Sequence, residues 1–265
     1  MAKPLTLPDL QAMKLRGEKI AVLTAYDASF AAAMDEAGVD VILVGDSLGM
    51  AVQGHSTTLP VTLDQMVYHA ACVTRGAARA ALVVDLPFMS YATPSAALES
   101  AARLVREAGI QMVKLEGGRK RLDTVRALVE QDIPVCAHLG LLPQAFHRIG
   151  GFVVQGRDDR SARALLEEAK LLEAAGASLL VLECIPAALA GEVTASLSIP
   201  TIGIGAGPDC DGQVLVCYDM LGLTPGKRPK FSKDFLAGSG DIRTAFRQYV
   251  EDVRGGRFPG PEHCF

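Results

Sequence analysis

The 265-residue chain contains no tryptophan and no long apolar run. A membrane-crossing helix is excluded, since no window approaches the ~18 unbroken apolar residues that one requires. The opening residues, MAKPLTLPDLQAMK, lack the apolar core of a secretory signal, so the cytoplasm is the expected location. Six cysteines, at 72, 136, 184, 210, 217 and 264, include no CxxC pair. Their spacing signals neither a structural zinc site nor a disulfide framework. Cys136 and Cys184 lie in apolar runs and read as small core residues, and Cys264 as a loose thiol near the end. The net charge is −4, with acids and bases mixed along the chain. No basic stripe marks a nucleic-acid surface.

What is present suits a soluble core: 49% hydrophobic and 21% charged residues. The length fits one large α/β barrel or two modest domains. A recurring plan favours the barrel. DEAGVDVILVGD (35–46), REAGIQMVKLEG (106–117) and LEAAGASLLVLEC (172–184) each run from a helix end through Ala-Gly into a short apolar strand that closes on an acid. Glycine suits the helix C-terminus in such a unit. QDIPVCAHLG (131–140) and LSIPTIGIGAG (197–207) follow a second plan, in which Ile-Pro leads into a strand.

These runs predict strands near 20–26, 39–45, 80–86, 111–116, 134–139, 179–184 and 200–205, with a weaker eighth at 213–219. Most are near-continuous apolar stretches, as in parallel strands buried on both faces. Helices are predicted near 28–37, 62–77, 95–108, 120–131, 159–175 and 187–197, with Thr62 and Thr93 as N-caps and Pro94 opening its helix. The 138–158 stretch reads as a long βα loop. Seven or eight such units without a linker predict a single-domain (β/α)8 TIM barrel over residues 1–265, rather than an open doubly wound sheet.

In a barrel all strand C-termini face one mouth. Asp46, Asp85, Glu116, His138 and Glu183 each fall at or near such an end. Singly, each acid has a local explanation. Asp46 suits a helix cap, Asp85 an Asx-turn before Leu-Pro, and Glu116 an ion pair with Lys114 two residues away on the same strand face. Together they form a carboxylate cluster that repels itself unless compensated. A divalent cation with oxygen ligands and leftover waters, Mg²⁺ rather than zinc, is the economical compensation. GIGAG (203–207) reads equally as an anion cradle or a tight βα turn, because no Walker lysine follows it. His55 and His69 read as a loop and a helix residue. GKRPKF (226–231) reads as a solvated basic loop, with steering of an anionic substrate as the alternative.

From TAYDASFAAAMDEAGVDVILVGDSLGMAVQGHSTTLPVT onward the chain closely resembles the ketopantoate hydroxymethyltransferase family. The likeness continues through DLPFMSYATP, VKLEGG, HLGLLPQ, GGFVVQGR, LLVLECIP, IGIGAG, DGQVLV and PKF, covering nearly the whole chain. It implies a (β/α)8 barrel that uses one Mg²⁺ per subunit to move a one-carbon unit from 5,10-methylenetetrahydrofolate to 3-methyl-2-oxobutanoate. It also implies a homo-oligomer, a decamer of two pentameric rings. By motif, Asp46 and Asp85 take metal-ligand roles and Glu116 the third, through water. Ser47 and Lys114 contact the keto acid, with Asp46 and Asp85 beside it. Glu183 takes the role of general base, and His138 a supporting polar role in substrate binding. The chemistry suits these types, since carbon–carbon bond formation beside a ketone needs a base, and a fixed positive charge for the enolate. Leu142, Pro208-Asp209-Cys210 and Tyr218 depart from the family pattern, and none is among the implied metal ligands.

Two other readings compete. One is a Mg²⁺-dependent α-keto acid lyase or mutase of the phosphoenolpyruvate mutase and isocitrate lyase kind. Its KKCGH-like cysteine motif is absent here. The other is a metal-dependent keto-acid-binding protein, which has no need of a base at position 183.

Overall fold

Near-continuous apolar runs become strands here because helices cover their outer faces and neighbouring strands their inner ones. The computed structural model describes residues 3–151 and 153–265, so Met1, Ala2 and Phe152 of GGFVVQGR lie outside the described residues. Eight parallel strands close into a barrel in sequence order. They are β1 (Ile20–Thr24), β2 (Val41–Val44), β3 (Ala81–Asp85), β4 (Met112–Glu116), β5 (Val135–Gly140), β6 (Leu179–Glu183), β7 (Thr201–Ile204) and β8 (Gly212–Leu215). Helices alternate with most of them, giving the expected (β/α)8 barrel.

The Ala-Gly repeats do what the sequence suggests. Gly38 and Gly109 terminate helices Ala28–Ala37 and Pro94–Ala108 in the left-handed conformation, turning the chain into β2 and β4. Thr62 accepts from the Gln65 N–H and Thr93 from the Ala96 N–H, so both predicted N-caps form.

The eighth strand is shorter than the predicted 213–219. It ends at Leu215, and Cys217–Met220 turns into a helix whose first N–H is held by the Thr24 hydroxyl. The 138–158 loop is also more ordered than expected, with a 3-10 turn at Pro143–Ala145 and a short helix at Phe146–Ile149.

Two-residue alternation sorts each strand into an outer and an inner face. Outward residues such as Leu23, Ile42, Val84, Leu115 and Leu182 join the helices in the main core. Inward residues, including Val22, Val41, Val83, Met112, Cys136 and Val181, fill the barrel, and Leu10 and Met13 of helix Leu7–Arg16 pack with them. The inward series then turns polar at the strand C-termini: Asp85 on β3, Lys114 and Glu116 on β4, His138 on β5 and Glu183 on β6. A dry apolar interior thus carries a layer of ionisable groups at one mouth. Among the described residues no helix is long and apolar enough to cross a membrane.

Candidate active site

The mouth opens into a cavity of about 750 Å³ whose walls include Asp46, Ser47, Asp85, Lys114, Glu116, His138 and Glu183. Every residue singled out at the strand ends therefore reaches one space. Asp46, Asp85, Lys114, Glu116 and His138 are each no more than 5% exposed. Glu183 is more open, its side chain 14% exposed toward the cavity.

The local explanations for the acids fail on their hydrogen bonds. Asp46 follows β2 in the Gly45-Asp46-Ser47 turn, and its carboxylate caps no helix. Its Oδ2 accepts instead from the Gln144 side-chain amide at 2.9 Å. Gly45 is small of necessity, since a Cβ there would press on the Ser47 hydroxyl and Asp85. Asp85 makes no Asx-turn. One oxygen accepts from the Asp46 N–H at 3.0 Å and the other from Lys114 Nζ at 2.8 Å. Lys114 thus pairs across the β3–β4 register with Asp85, and not along its own strand with Glu116.

Glu116 is held by a different group, its Oε2 accepting from the Gln144 backbone N–H at 3.0 Å. On the next strand His138 stands beside it, with Nδ1 at 3.7 Å from Glu116 Oε1 and Nε2 at 3.2 Å from Glu183 Oε2. Neither ring nitrogen makes an aligned hydrogen bond, so the imidazole is a buried polar group between two carboxylates with its bonding capacity unspent. Ser47 Oγ lies 2.8 Å from the Tyr26 hydroxyl, which fixes it at the cavity wall.

Electrostatics follow from this crowding. Burial, then Asp85 and Glu116, push the Asp46 carboxyl well above the usual carboxylate range, against the pull of Lys114 and Gln144. Burial would lower the Lys114 ammonium, but Asp85, Glu116 and Asp46 together outweigh it and hold it above its ordinary value. Burial and Lys114 would likewise lower His138, yet Glu116 and Glu183 leave it raised. Below this layer burial pushes the Cys136 thiol up to about 12, which makes it an inert core residue. At the strand ends, the carboxylates of Asp46, Asp85, Glu116 and Glu183 therefore share the cavity with the Lys114 ammonium and the His138 imidazole. Among the described residues no three His, Cys, Asp or Glu side chains converge tightly enough to encage an ion by themselves.

Two site residues escape a search for strand-end acids. Gln144, in HLGLLPQ, bridges Asp46 through its side chain and Glu116 through its backbone. Tyr91, in DLPFMSYATP, donates its hydroxyl to Gln144 Oε1 and accepts from the Glu116 N–H at 3.3 Å. That contact sets which end of the Gln144 amide faces Asp46. Both residues sit on loops, where no periodicity flags them.

Other sequence features resolve simply. GIGAG is a tight turn, but it leads from β7 through a short loop into β8 with no helix between: Gly205 and Gly207 have positive φ, and side chains there would collide with Phe231 and Phe265, and with Ala187. His69 lies in helix Leu63–Gly76, its Nδ1 2.7 Å from the Tyr26 carbonyl, whereas His55 lines the cavity from a loop. Cys264 is not loose, since its thiol reaches the Gly260 carbonyl at 3.3 Å. The basic loop 226–231 is no remote surface. Lys227, Arg228, Lys230 and Phe231 all line the cavity.

Comparison with known proteins gives a family and a fold. The chain is 63% identical over 265 residues to the 3-methyl-2-oxobutanoate hydroxymethyltransferase of Methylococcus capsulatus, covering 100% of the chain and 98% of that relative. Among solved structures, a 2,3-dimethylmalate lyase of the PEP mutase/isocitrate lyase superfamily shares the fold with a TM-score of 0.59 at 16% identity, covering 97% of this chain and 90% of that one. A phosphonopyruvate hydrolase in complex with oxalate and Mg²⁺ does so with a TM-score of 0.63 at 12% identity, covering 97% and 96%. Such low identities speak for the barrel alone. The profile of ketopantoate hydroxymethyltransferase, however, matches residues 4–261, and on that match and the full-length relative the chain belongs to this enzyme family.

Proposed function

We propose that the chain transfers a hydroxymethyl group from 5,10-methylenetetrahydrofolate to 3-methyl-2-oxobutanoate, using one Mg²⁺ per subunit. The observation that carries this reading is the layered mouth: buried Asp46, Asp85 and Lys114 on one side, and Glu183 opening to the same cavity on the other.

The residues fit the ion on chemical grounds. The Asp46 carboxyl is pushed up by burial and by its acidic neighbours, a penalty that a divalent cation would remove. Hard oxygen donors suit Mg²⁺, which keeps several waters and needs only one or two protein carboxylates. Asp46 and Asp85 would hold it, with Glu116 reaching it through water. When bound, the ion would withdraw electrons from the keto acid and spread the enolate's charge.

The chain's own groups do the rest. Lys114 presents a fixed cation to the substrate carboxylate while Asp85 holds it in place. Ser47, steadied by Tyr26, donates to the keto acid. Glu183 takes the C3 proton, and His138 at 3.2 Å steadies the carboxylate that does so. The apolar barrel beneath keeps water from the floor. The reading extends to a single-domain barrel acting in the cytoplasm as a homo-oligomer, a decamer of two pentameric rings. The lyase or mutase alternative rests on the fold alone and is disfavoured by the family match.

The direct test combines the purified protein with keto acid and folate donor, with and without a chelator. Turnover should require both substrates, vanish with chelator and return with added Mg²⁺. Turnover indifferent to the chelator would remove the metal from the mechanism, and no turnover with this pair would remove the reaction.

Gln144 gives a finer test. Gln144→Leu keeps the bulk but removes the donor to Asp46 and the acceptor for Tyr91. Mg²⁺ affinity, read by titration calorimetry, should fall about 10–100-fold, the usual effect of losing a group that orients a ligand. An unchanged affinity would confine Gln144 to loop packing.

A further inference from the structure

The cavity has two chemically distinct parts. Its floor is the acidic layer already described, where the proposed keto acid would sit. A space of about 750 Å³ falls within the roughly 300–1,000 Å³ that encloses a drug-sized molecule. Part of its wall comes from the 223–231 loop and the chain end, and apart from Asp219, which faces Arg228, the chemistry of that part is the reverse of the floor. Leu223, Phe231 and Phe265 give apolar surface, and Lys227, Arg228 and Lys230 give three cations. This is a cationic rim on a chain of net charge −4.

The rim is built rather than loose. Lys230 Nζ donates to the Cys264 carbonyl and lies 5.0 Å from the Phe265 ring centroid. The Phe265 carbonyl in turn accepts from the Ala187 N–H at 3.2 Å. Side chains of Phe231 and Phe265 both rest against Gly205 at the end of β7. Arg228 is partly balanced by Asp234 at 3.4 Å. Among the described residues Lys227 and Lys230 have no ion-pair partner, so positive charge at the rim is left for a ligand.

We propose that Lys227, Arg228 and Lys230 form a binding site for the glutamate carboxylates of the folate donor, with Phe231 and Phe265 as the apolar wall beside them. The inference rests on the proposed function, because it assigns a subsite to that reaction's second substrate. Each added γ-linked glutamate brings one more carboxylate to the rim, so affinity should rise with tail length. Exposed cations give modest contacts singly and a larger effect together.

The test compares 5,10-methylenetetrahydrofolate bearing one glutamate with the same donor bearing three. Wild-type kcat/KM should favour the triglutamate by about tenfold at low salt, and the preference should shrink as salt screens the rim. In Lys227→Ala/Arg228→Ala the preference should fall to within about twofold, and Lys227→Arg/Arg228→Lys should restore it. A wild type indifferent to tail length, or an alanine variant that keeps the preference, would overturn the site. Exchange of the keto acid's C3 proton in wild-type protein, followed in D₂O without folate, tells the two failures apart. Exchange and turnover without a tail preference would reject the rim alone, whereas the loss of both would reject the reaction and the rim with it.

Discussion

Asp85→Ala should lose turnover by a thousandfold or more and destabilise the protein as well. The two losses have separate causes. Turnover falls because a proposed ligand is gone, and a bound cation supplies several kcal/mol of charge stabilisation, about three decades of rate. Stability falls because Lys114, 6% exposed at its side chain, is left as a buried ammonium without its 2.8 Å partner. Breaking a buried pair from one side costs about 3–5 kcal/mol. Asparagine offers no neutral control. Both neighbours of Asp85, the Asp46 N–H and Lys114 Nζ, are donors, and an amide supplies one acceptor where two are used. The control is Asp85→Ala/Lys114→Met. Removing the orphaned charge should recover most of the denaturant midpoint while turnover stays absent. A single variant with wild-type turnover would reject the ligand role, and a double variant no more stable than the single would reject the ion pair.

That ion pair marks where sequence reasoning reaches its limit. Strand positions were legible because apolar runs such as VILV and ALVVD are buried on both faces. The acids at their ends were legible because barrel topology gathers strand C-termini whatever their separation in sequence. Partner choice was not. Lys114 stands beside Asp85, and His138 beside Glu116, through the registers of β3–β4 and β4–β5, which barrel closure fixes. Spacing along β4 alone favours Lys114 with Glu116, the pairing that does not form. The end of β8 was misjudged for a related reason. QVLVCYD has strand composition, but the Thr24 hydroxyl captures the Cys217 N–H and starts a helix. Helix Ile242–Arg254 carries the spacing Phe246, Tyr249, Val250, Val253, yet no strand-end acid precedes it, so a search led by acids passes over it. Gln144 and Tyr91 act from loops through contacts that exist only once the barrel has closed.

The remaining large effect falls on Glu183, and it separates a base from a ligand. The side chain ends β6, where the Leu141 N–H donates to the Glu183 carbonyl at 2.8 Å. Gly140 crosses directly over that carbonyl with φ +93, leaving no room for a Cβ. Cys184 follows in the left-handed region at φ +47, an uncommon conformation for a residue with a side chain. The backbone around Glu183 is thus pinned on both sides, while its carboxylate is the most open of the four acids toward the cavity. Such a fixed, accessible carboxylate suits proton transfer. Glu183→Gln keeps the shape and a polar contact for His138 but cannot take a proton. The rate of C3 proton exchange of the keto acid in D₂O should fall by about two to four orders of magnitude, the usual contribution of a positioned base. Mg²⁺ and keto-acid affinities should stay within about threefold of wild type, since the proposed ligands Asp46, Asp85 and Glu116 and the substrate contacts Ser47 and Lys114 are untouched. Loss of Mg²⁺ binding would make Glu183 a ligand. Undiminished exchange would move the base to His138, whose imidazole stands 3.2 Å away.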